Sequence, residues 1–431
     1  MDENFFDGLE TRSEVDRDRA LLTALQRQIA HAKASTTAYA ELLSDVMPTD
    51  ITGLSRLATL PVTRKSGQLL QRQSALRGQG EPFGGFASIG WQGCRRTRGV
   101  RRVFQSPGRL YEPEGHSGDF ERIARAMFAA GFRPGQLVHN SFSYHLTPAG
   151  AMMEAGAFSL GCTVFPGGVG NTDLQIAAIF DLQPTCYVGT PSFLRMLVER
   201  ATEKGGTLPI RRALVSGEGF PPVAKAWLLE RGIDAYQCYA TADVGLIAYE
   251  TEPRQGMVVD EGVIVEIVRP GTGDPVPIGE VGELVVTSLN PDYPLIRFCT
   301  GDLSAILPGT CPTGRTNVRI KGWMGRADQA TKVRGMFVSP GQVAELMRRH
   351  PEVVRARLVV SGGAGQKTWE SDRMILKTEV THSPAPDVGA RLAESMRSIT
   401  KLRTDVEIVP PGTLPNDGML IEDRRDAPVA G

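Results

Sequence analysis

The residues able to do chemistry in this chain gather in a few short stretches that lack any amphipathic period. Gly325-Arg326-Ala327-Asp328-Gln329-Ala330-Thr331-Lys332-Val333-Arg334-Gly335 packs three basic residues and a carboxylate between two glycines, the composition of a connector between larger units. Val103-Phe104-Gln105-Ser106-Pro107-Gly108-Arg109-Leu110-Tyr111-Glu112-Pro113-Glu114-Gly115 reads as a strand running into a Gly/Pro turn. Backbone N–H groups in such a turn can converge on an anion, and the Arg109 guanidinium can grip a phosphate with two donors. Glu112 and Glu114 would oppose that anion. Upstream, Arg95, Arg96, Arg98, Arg101 and Arg102 form the only dense basic run, read as a solvated loop or strand edge in preference to an anion trap. Ser216-Gly217-Glu218-Gly219 is a glycine turn after a strand, while Asp243 and Asp302 sit in two further segments that contain glycine. The plain structural reading makes Tyr239 a core ring, Asp243 a helix cap and Asp302 a turn residue. His145 stands alone, and a lone histidine is more often structural than catalytic.

Bulk composition narrows the classes. A chain of 431 residues suits two or three domains. Lys plus Arg equals Asp plus Glu at 48 each, so no global field favours nucleic acid or an acidic membrane. Six cysteines are scattered without a CxxC pair, which argues for a reducing compartment. Cys311-Pro312-Thr313-Gly314 resembles half a metal knuckle, with no second half. The start Met1-Asp2-Glu3-Asn4 lacks a basic then apolar run, and no stretch has about twenty uninterrupted apolar residues. The expected home is cytoplasmic, with no membrane span.

These stretches need elements to hold them. Residues 13–47 carry a helical apolar pattern that stops before Pro48. From Ser117 onward, helices alternate with short apolar strands at Leu137 to Asn140, Cys162 to Phe165, Cys186 to Val188, Ala213 to Ser216 and Ala235 to Tyr239. That alternation predicts a parallel, doubly wound α/β sheet, whose ligands sit at the carboxyl ends of strands. After Glu250 the pattern changes to antiparallel strands and turns. Beyond the connector, Ser339-Pro340-Gly341-Gln342 predicts a capped helix start. Strands at 355–361, 373–380 and 405–409 with a helix at 388–399 make a small α+β module.

Taken in order, these stretches resemble the adenylate-forming enzymes, and within them the phenylacetate–coenzyme A ligases. Leu60-Pro61-Val62-Thr63-Arg64-Lys65 resembles an early step of those ligases, and Cys299-Thr300-Gly301-Asp302-Leu303 with the 325–335 stretch resembles the superfamily's nucleotide site and hinge. The resemblance implies a large multi-layer α/β domain with a small β-barrel section over 1–325, a hinge at 326–328 and a mobile α+β domain over 329–431. It implies ATP-dependent activation of an aromatic or other small carboxylic acid through an acyl-adenylate, with transfer to coenzyme A. ATP, AMP and Mg²⁺ are the further cofactors implied, and a homodimer is suggested. Ser216, Gly217 and Glu218 would line an adenine slot, Tyr239 with Ala240 would stack on adenine, and Asp243 would reach Mg²⁺. Asp302 and Arg326 would hold the ribose, Asp328 would be the pivot, and Lys332 would serve the thioester step. Phe142-Ser143-Tyr144-His145, with Gly167 to Gly170 and Pro191, matches the acyl-pocket region, and Arg109 would stand in for lost phosphate-loop donors.

Asp243 stands for a Glu of the family and Ala240 for a Gly, and two further departures matter most. The phosphate loop, a Ser/Thr/Gly-rich run ending in Lys or Pro in the family, here reads Ser106-Pro107-Gly108-Arg109-Leu110-Tyr111-Glu112-Pro113, and Gly412-Thr413-Leu414-Pro415-Asn416-Asp417-Gly418-Met419 carries a methionine where the family signature has lysine. A thioether supplies neither charge nor strong donor. Two other readings therefore stay open: a homologue that passes a preformed acyl-adenylate or acyl donor to a thiol or amine, and a non-catalytic nucleotide- or acyl-binding protein.

Overall fold

A computed structural model describes residues 4–91, 99–106, 109–329, 331–333, 336–361, 373–380, 387–415 and 419–424, with the side chains at 66, 328, 332, 336 and 337 outside the description. Arg95, Arg96, Arg98, the turn centre Pro107-Gly108, and the Asp328 and Lys332 side chains thus lie outside the described residues. The chain divides into two compact units: Met1–Thr300 with Ser304–Trp323, and Gly301–Leu303 with Met324–Gly431.

In the larger unit, strands Thr163–Pro166, Leu137–Asn140, Cys186–Gly189, Arg212–Val215 and Asp234–Thr241 run parallel along one side of a nine-stranded sheet, with Thr163–Pro166 at its edge. Successive residues on a strand face opposite ways. Cys186, Val188 and Leu214 accordingly join the core with helices Ile123–Ala129 and Ala149–Ser159. Their neighbours Tyr187, Ala213 and Val215 join a second core with helices Thr172–Leu182 and Pro191–Glu203. Covering on both faces explains why these strands read as short continuous apolar runs.

Two expectations change. The helical pattern of residues 13–47 is broken: Glu14–Ser35 ends at Thr36, which is extended and accepts from Tyr39 N at 3.3 Å to cap a second helix, Thr37–Leu42. A threonine hydroxyl that satisfies the next helix's free donors makes the break favourable. The strand-rich section also shows no closed barrel among the described residues. Thr63–Arg64, Phe298–Ser304, Gly282–Ser288 and Val263–Val268 form an open four-stranded sheet, packed through Ile264, Ile267, Leu284 and Val286 against Leu21, Leu25 and Ile29 of the first long helix. The strand Gly245–Glu250 instead turns back antiparallel on Asp234–Thr241 and so extends the main sheet.

Glu121 precedes helix Ile123–Ala129, and its buried Oε2 has no partner among the described residues. Burial, then the nearby charges of Glu114 and Asp119, push its carboxyl up to about 8. The folded chain keeps a proton there that the unfolded chain releases above its ordinary value. Stability from this group is therefore fully present at low pH and declines as pH rises toward 8. Between pH 5 and pH 8.5 the loss should be of the order of 4 kcal/mol. Thermal melts across that range should show a clearly shallower decline for Glu121→Gln, and parallel profiles would contradict the assignment.

The smaller unit has its own core of Val343, Leu346, Leu358, Val360, Leu376, Leu392 and Met396. Helix Pro340–Arg349 opens with the Ser339/Gln342 capping box, and helix Val388–Thr400 follows later in the chain. The sheet order is Asp405–Val409, Arg373–Val380, Val353–Ser361, Ile421–Asp423.

Candidate functional site

The stretch expected to be a phosphate loop is the end of a two-stranded hairpin, Arg102–Ser106 paired with Leu110–Glu114. Arg109 stands just past the turn, exposed, with a left-handed φ of 60°. Its guanidinium is presented to solvent, as capture of an anion requires. Glu112 and Glu114 lie two residues apart, so both point to the inner face. Glu114 accepts from Arg102 Nη1 at 3.0 Å on each oxygen, which neutralises it. Glu112 accepts a short hydrogen bond from the Ser106 hydroxyl. Burial, and secondarily the charge of Asp243, hold its carboxyl well above the usual range. Neither residue therefore opposes an anion at Arg109 as the sequence suggested.

Asp243 lies in the turn between Asp234–Thr241 and Gly245–Glu250, and it does not cap a helix. Its Oδ2 accepts from Lys65 Nζ at 2.6 Å, and its Oδ1 is buried without a partner among the described residues. The Tyr293 hydroxyl is fully buried and likewise unpartnered. Burial and the neighbouring charges of Asp243 and Glu112 raise its ionisation far above the ordinary phenol value. In the sequence, Lys65 is only the last residue of a family-like step, with no chemistry attached to it. Only its position 178 residues away in the chain, at Asp243, assigns it any. A hard carboxylate oxygen left free in a buried site suits Mg²⁺, which takes one or two carboxylates and keeps the rest of its shell for phosphate and water. Asp243 thus fits the metal role that the resemblance implies, and Lys65 adds a fixed cation beside it. Among the described residues, no group of three or more His, Cys, Asp or Glu could hold a metal. Cys311 is a buried free thiol against Thr251 and Thr313.

The expected adenine slot is partly redistributed. Ser216 Oγ donates to the Cys238 carbonyl at 2.9 Å and ties two parallel strand ends together. Gly217 holds a left-handed φ of 85° that a side chain would strain. Glu218 accepts from Ser192 N at 2.6 Å, so its charge sits on the first turn of helix Pro191–Glu203, where the helix dipole favours it. Tyr239 packs its ring into the core beside Val244 and Ile247, at a register shift that also involves Ala240. In the expected acyl region, Phe142 is core and the Tyr144 hydroxyl accepts from Asn140 at 2.8 Å and donates to Glu154 at 3.0 Å. His145 is exposed; its N–H donates to the Ser143 hydroxyl at 3.1 Å, and its carbonyl accepts from that hydroxyl at 3.3 Å and from Thr147 N at 2.7 Å.

In the smaller unit, Asp302 Oδ1 accepts from Arg326 Nη1 at 3.1 Å across a backbone bridge between the same two residues. A Cβ at Gly301 would come within 2.6 Å of Arg326 Nη2, and Gly301 has a φ of 76°. The glycine is what lets the guanidinium reach the carboxylate. Lys332 lies on the short strand Thr331–Val333. Met419 is 39% exposed and lines a hollow with Met347, Arg355, Leu414 and Leu420.

A family profile described as AMP-binding enzyme matches residues 122–290. The chain is 30% identical to a phenylacetate-coenzyme A ligase of Thermus thermophilus over 91% of this chain and 92% of that one. It is 31% identical to the phenylacetate-coenzyme A ligase of Escherichia coli strain K12, over 95% and 94%. Its structure resembles an open conformation of 2-hydroxyisobutyryl-CoA ligase in complex with 2-HIB-AMP and CoA, with a TM-score of 0.81 at 23% identity over 98% and 97% of the two chains. At that identity the likeness speaks for the fold. With sequence identity sustained over nearly the full length of its relatives, this chain belongs to the phenylacetate–coenzyme A ligase family of adenylate-forming enzymes.

Proposed function

We propose that this chain activates an aromatic or other small carboxylic acid with ATP and passes the acyl group to coenzyme A. The pairing of Asp302 with Arg326 carries the reading, because it preorganises the two residues expected at the ribose. A carboxylate fixed in this way can accept from both vicinal hydroxyls. In the first half-reaction an acid oxygen attacks the α-phosphorus, and the bond to pyrophosphate breaks with its electrons leaving on oxygen. In the second, the thiol of coenzyme A loses its proton, its sulfur bonds to the acyl carbon, and AMP departs. Arg109, exposed beside the hairpin turn, is the group to hold the departing pyrophosphate. Asp243 would hold Mg²⁺, whose charge screens the phosphates when bound, with Lys65 as a second cation on the same carboxylate. Lys332 is assigned to the thioester step, and Phe142 with Tyr144 to the acyl pocket. The small unit is proposed to move about Asp328 between the two steps. A cytoplasmic homodimer is the proposed setting.

Calorimetric titration of ATP–Mg²⁺ and then AMP tests the reading. Both are expected to bind, followed by turnover in a screen of acids with coenzyme A; binding of neither would refute it. Asp302→Ala should weaken AMP about tenfold to a hundredfold, the loss of charged hydrogen bonds worth roughly 1.5–3 kcal/mol. An unchanged affinity in a folded variant would remove Asp302 from the site. The uncharged Met419 favours one second reading, a chain that consumes preformed acyl-adenylate. Turnover with synthetic acyl-adenylate but not with ATP and acid would select it.

A further inference from the structure

We infer that Glu112 is a second carboxylate ligand of the divalent cation at Asp243, so that the phosphate hairpin itself contributes to the metal site; the inference rests on the ligase reading above. Each carboxylate is oriented through one oxygen and leaves the other free. Ser106 holds Glu112 Oε1, and Lys65 holds Asp243 Oδ2 at 2.6 Å. Glu112 Oε2 and Asp243 Oδ1 are both buried and without a partner among the described residues. Glu112 is 2% and Asp243 8% exposed. Donors that fix one oxygen of a ligating carboxylate and aim the other are the usual outer support of a metal site.

A third observation points to the same spot. The Tyr293 hydroxyl, 2% exposed, is also unpartnered and lies close enough to feel both carboxylates. Buried polar atoms are rarely left unsatisfied. Two carboxylate oxygens and a phenol oxygen, each buried and near enough for their charges to act on one another, make a donor set that suits a hard divalent cation. Aspartate is one methylene shorter than glutamate, and a second carboxylate from the facing hairpin supplies the reach that Asp243 lacks. Lys65 does not fill this role, because its ammonium is bonded to the other oxygen of Asp243. A metal held by Glu112 would leave Arg109, on the same hairpin, free for phosphate.

The test uses the full chain and Mn²⁺ alone, followed by loss of the free-ion electron paramagnetic resonance signal. Wild type should bind one Mn²⁺ that Mg²⁺ displaces. Glu112→Gln, which keeps the shape, should weaken Mn²⁺ at least about tenfold while leaving metal-free AMP binding unchanged. Glu112→Asp should retain part of the affinity. Wild-type Mn²⁺ affinity in Glu112→Gln with loss in Asp243→Asn would overturn the inference and leave the ligase reading standing. No Mn²⁺ binding by wild type would also overturn it. Mn²⁺ binding lost in Glu112→Gln, in a chain that binds no nucleotide, would support the metal site and sink the ligase reading instead.

Discussion

Met419→Lys is expected to raise the rate of acyl-adenylate formation about a hundredfold. A cation aimed at the oxygens where charge develops is worth two to three orders of magnitude, and Met419 offers a thioether where the family signature has that cation. Its position allows the change. The side chain is exposed beside a hollow lined by Met347, Leu414 and Leu420 together with Arg355 and Arg357, so a lysine stem can lie along the apolar part and keep its ammonium in solvent, away from the two guanidinium groups. Pyrophosphate release at saturating ATP–Mg²⁺ measures the first half-reaction. Thioester formation from synthetic acyl-adenylate should stay about the same, since the lysine acts on the first step alone. Met419→Leu serves as the uncharged control and should change neither rate. An unaltered adenylation rate in Met419→Lys would mean that residue 419 does not reach the reacting oxygens.

The largest effect on stability is expected at Arg297. Its side chain is fully buried, with Nε and Nη2 on Glu266 at 2.9 and 3.0 Å. It also donates to the carbonyls of Ala58 at 3.1 Å, Leu60 at 2.5 Å and Gly273 at 2.8 Å. One guanidinium thereby ties the segment before Thr63–Arg64, the turn after Val263–Val268 and the start of the strand that carries Asp302. Arg297→Met would strand the partly buried Glu266 carboxylate and three carbonyls together, a loss of about 3 kcal/mol or more. The melting temperature should fall by roughly 10 °C. Arg297→Met with Glu266→Leu should recover part of the loss, because the uncompensated charge goes with its partner. A melting temperature within about 2 °C of wild type would show that the network contributes little net stability.

Much of the fold was legible because its signals are local. The alternation of helix and strand after Ser117 reflects periods of 3.6 and 2 residues that need no partner to be read, and strand Leu137–Asn140 appears where the pattern placed it. The Ser339/Gln342 box likewise closes within four residues. Thr36 carried a legible signal too, an N-cap residue inside a helical run, but the apolar pattern continued across it and hid the break. The barrel expectation failed for a different reason. Alternating strands declare that they pair, not with which neighbour, and here Gly245–Glu250 pairs with the main sheet.

The site divides along the same line. By itself the sequence determined the residue types that could handle a nucleotide and an acid, the order in which they occur, and the missing charge at Met419. It also put Glu112 and Glu114 close to the turn at Arg109. Only the tertiary structure decided that both carboxylates share a buried strand face, that Arg102 neutralises Glu114, that Lys65 meets Asp243, and that Glu218 serves a helix end. Hydrogen bonds within a turn follow from neighbouring residues. Charge pairing and burial depend on which distant segments pack together, and that is fixed by the summed apolar contacts of the whole core.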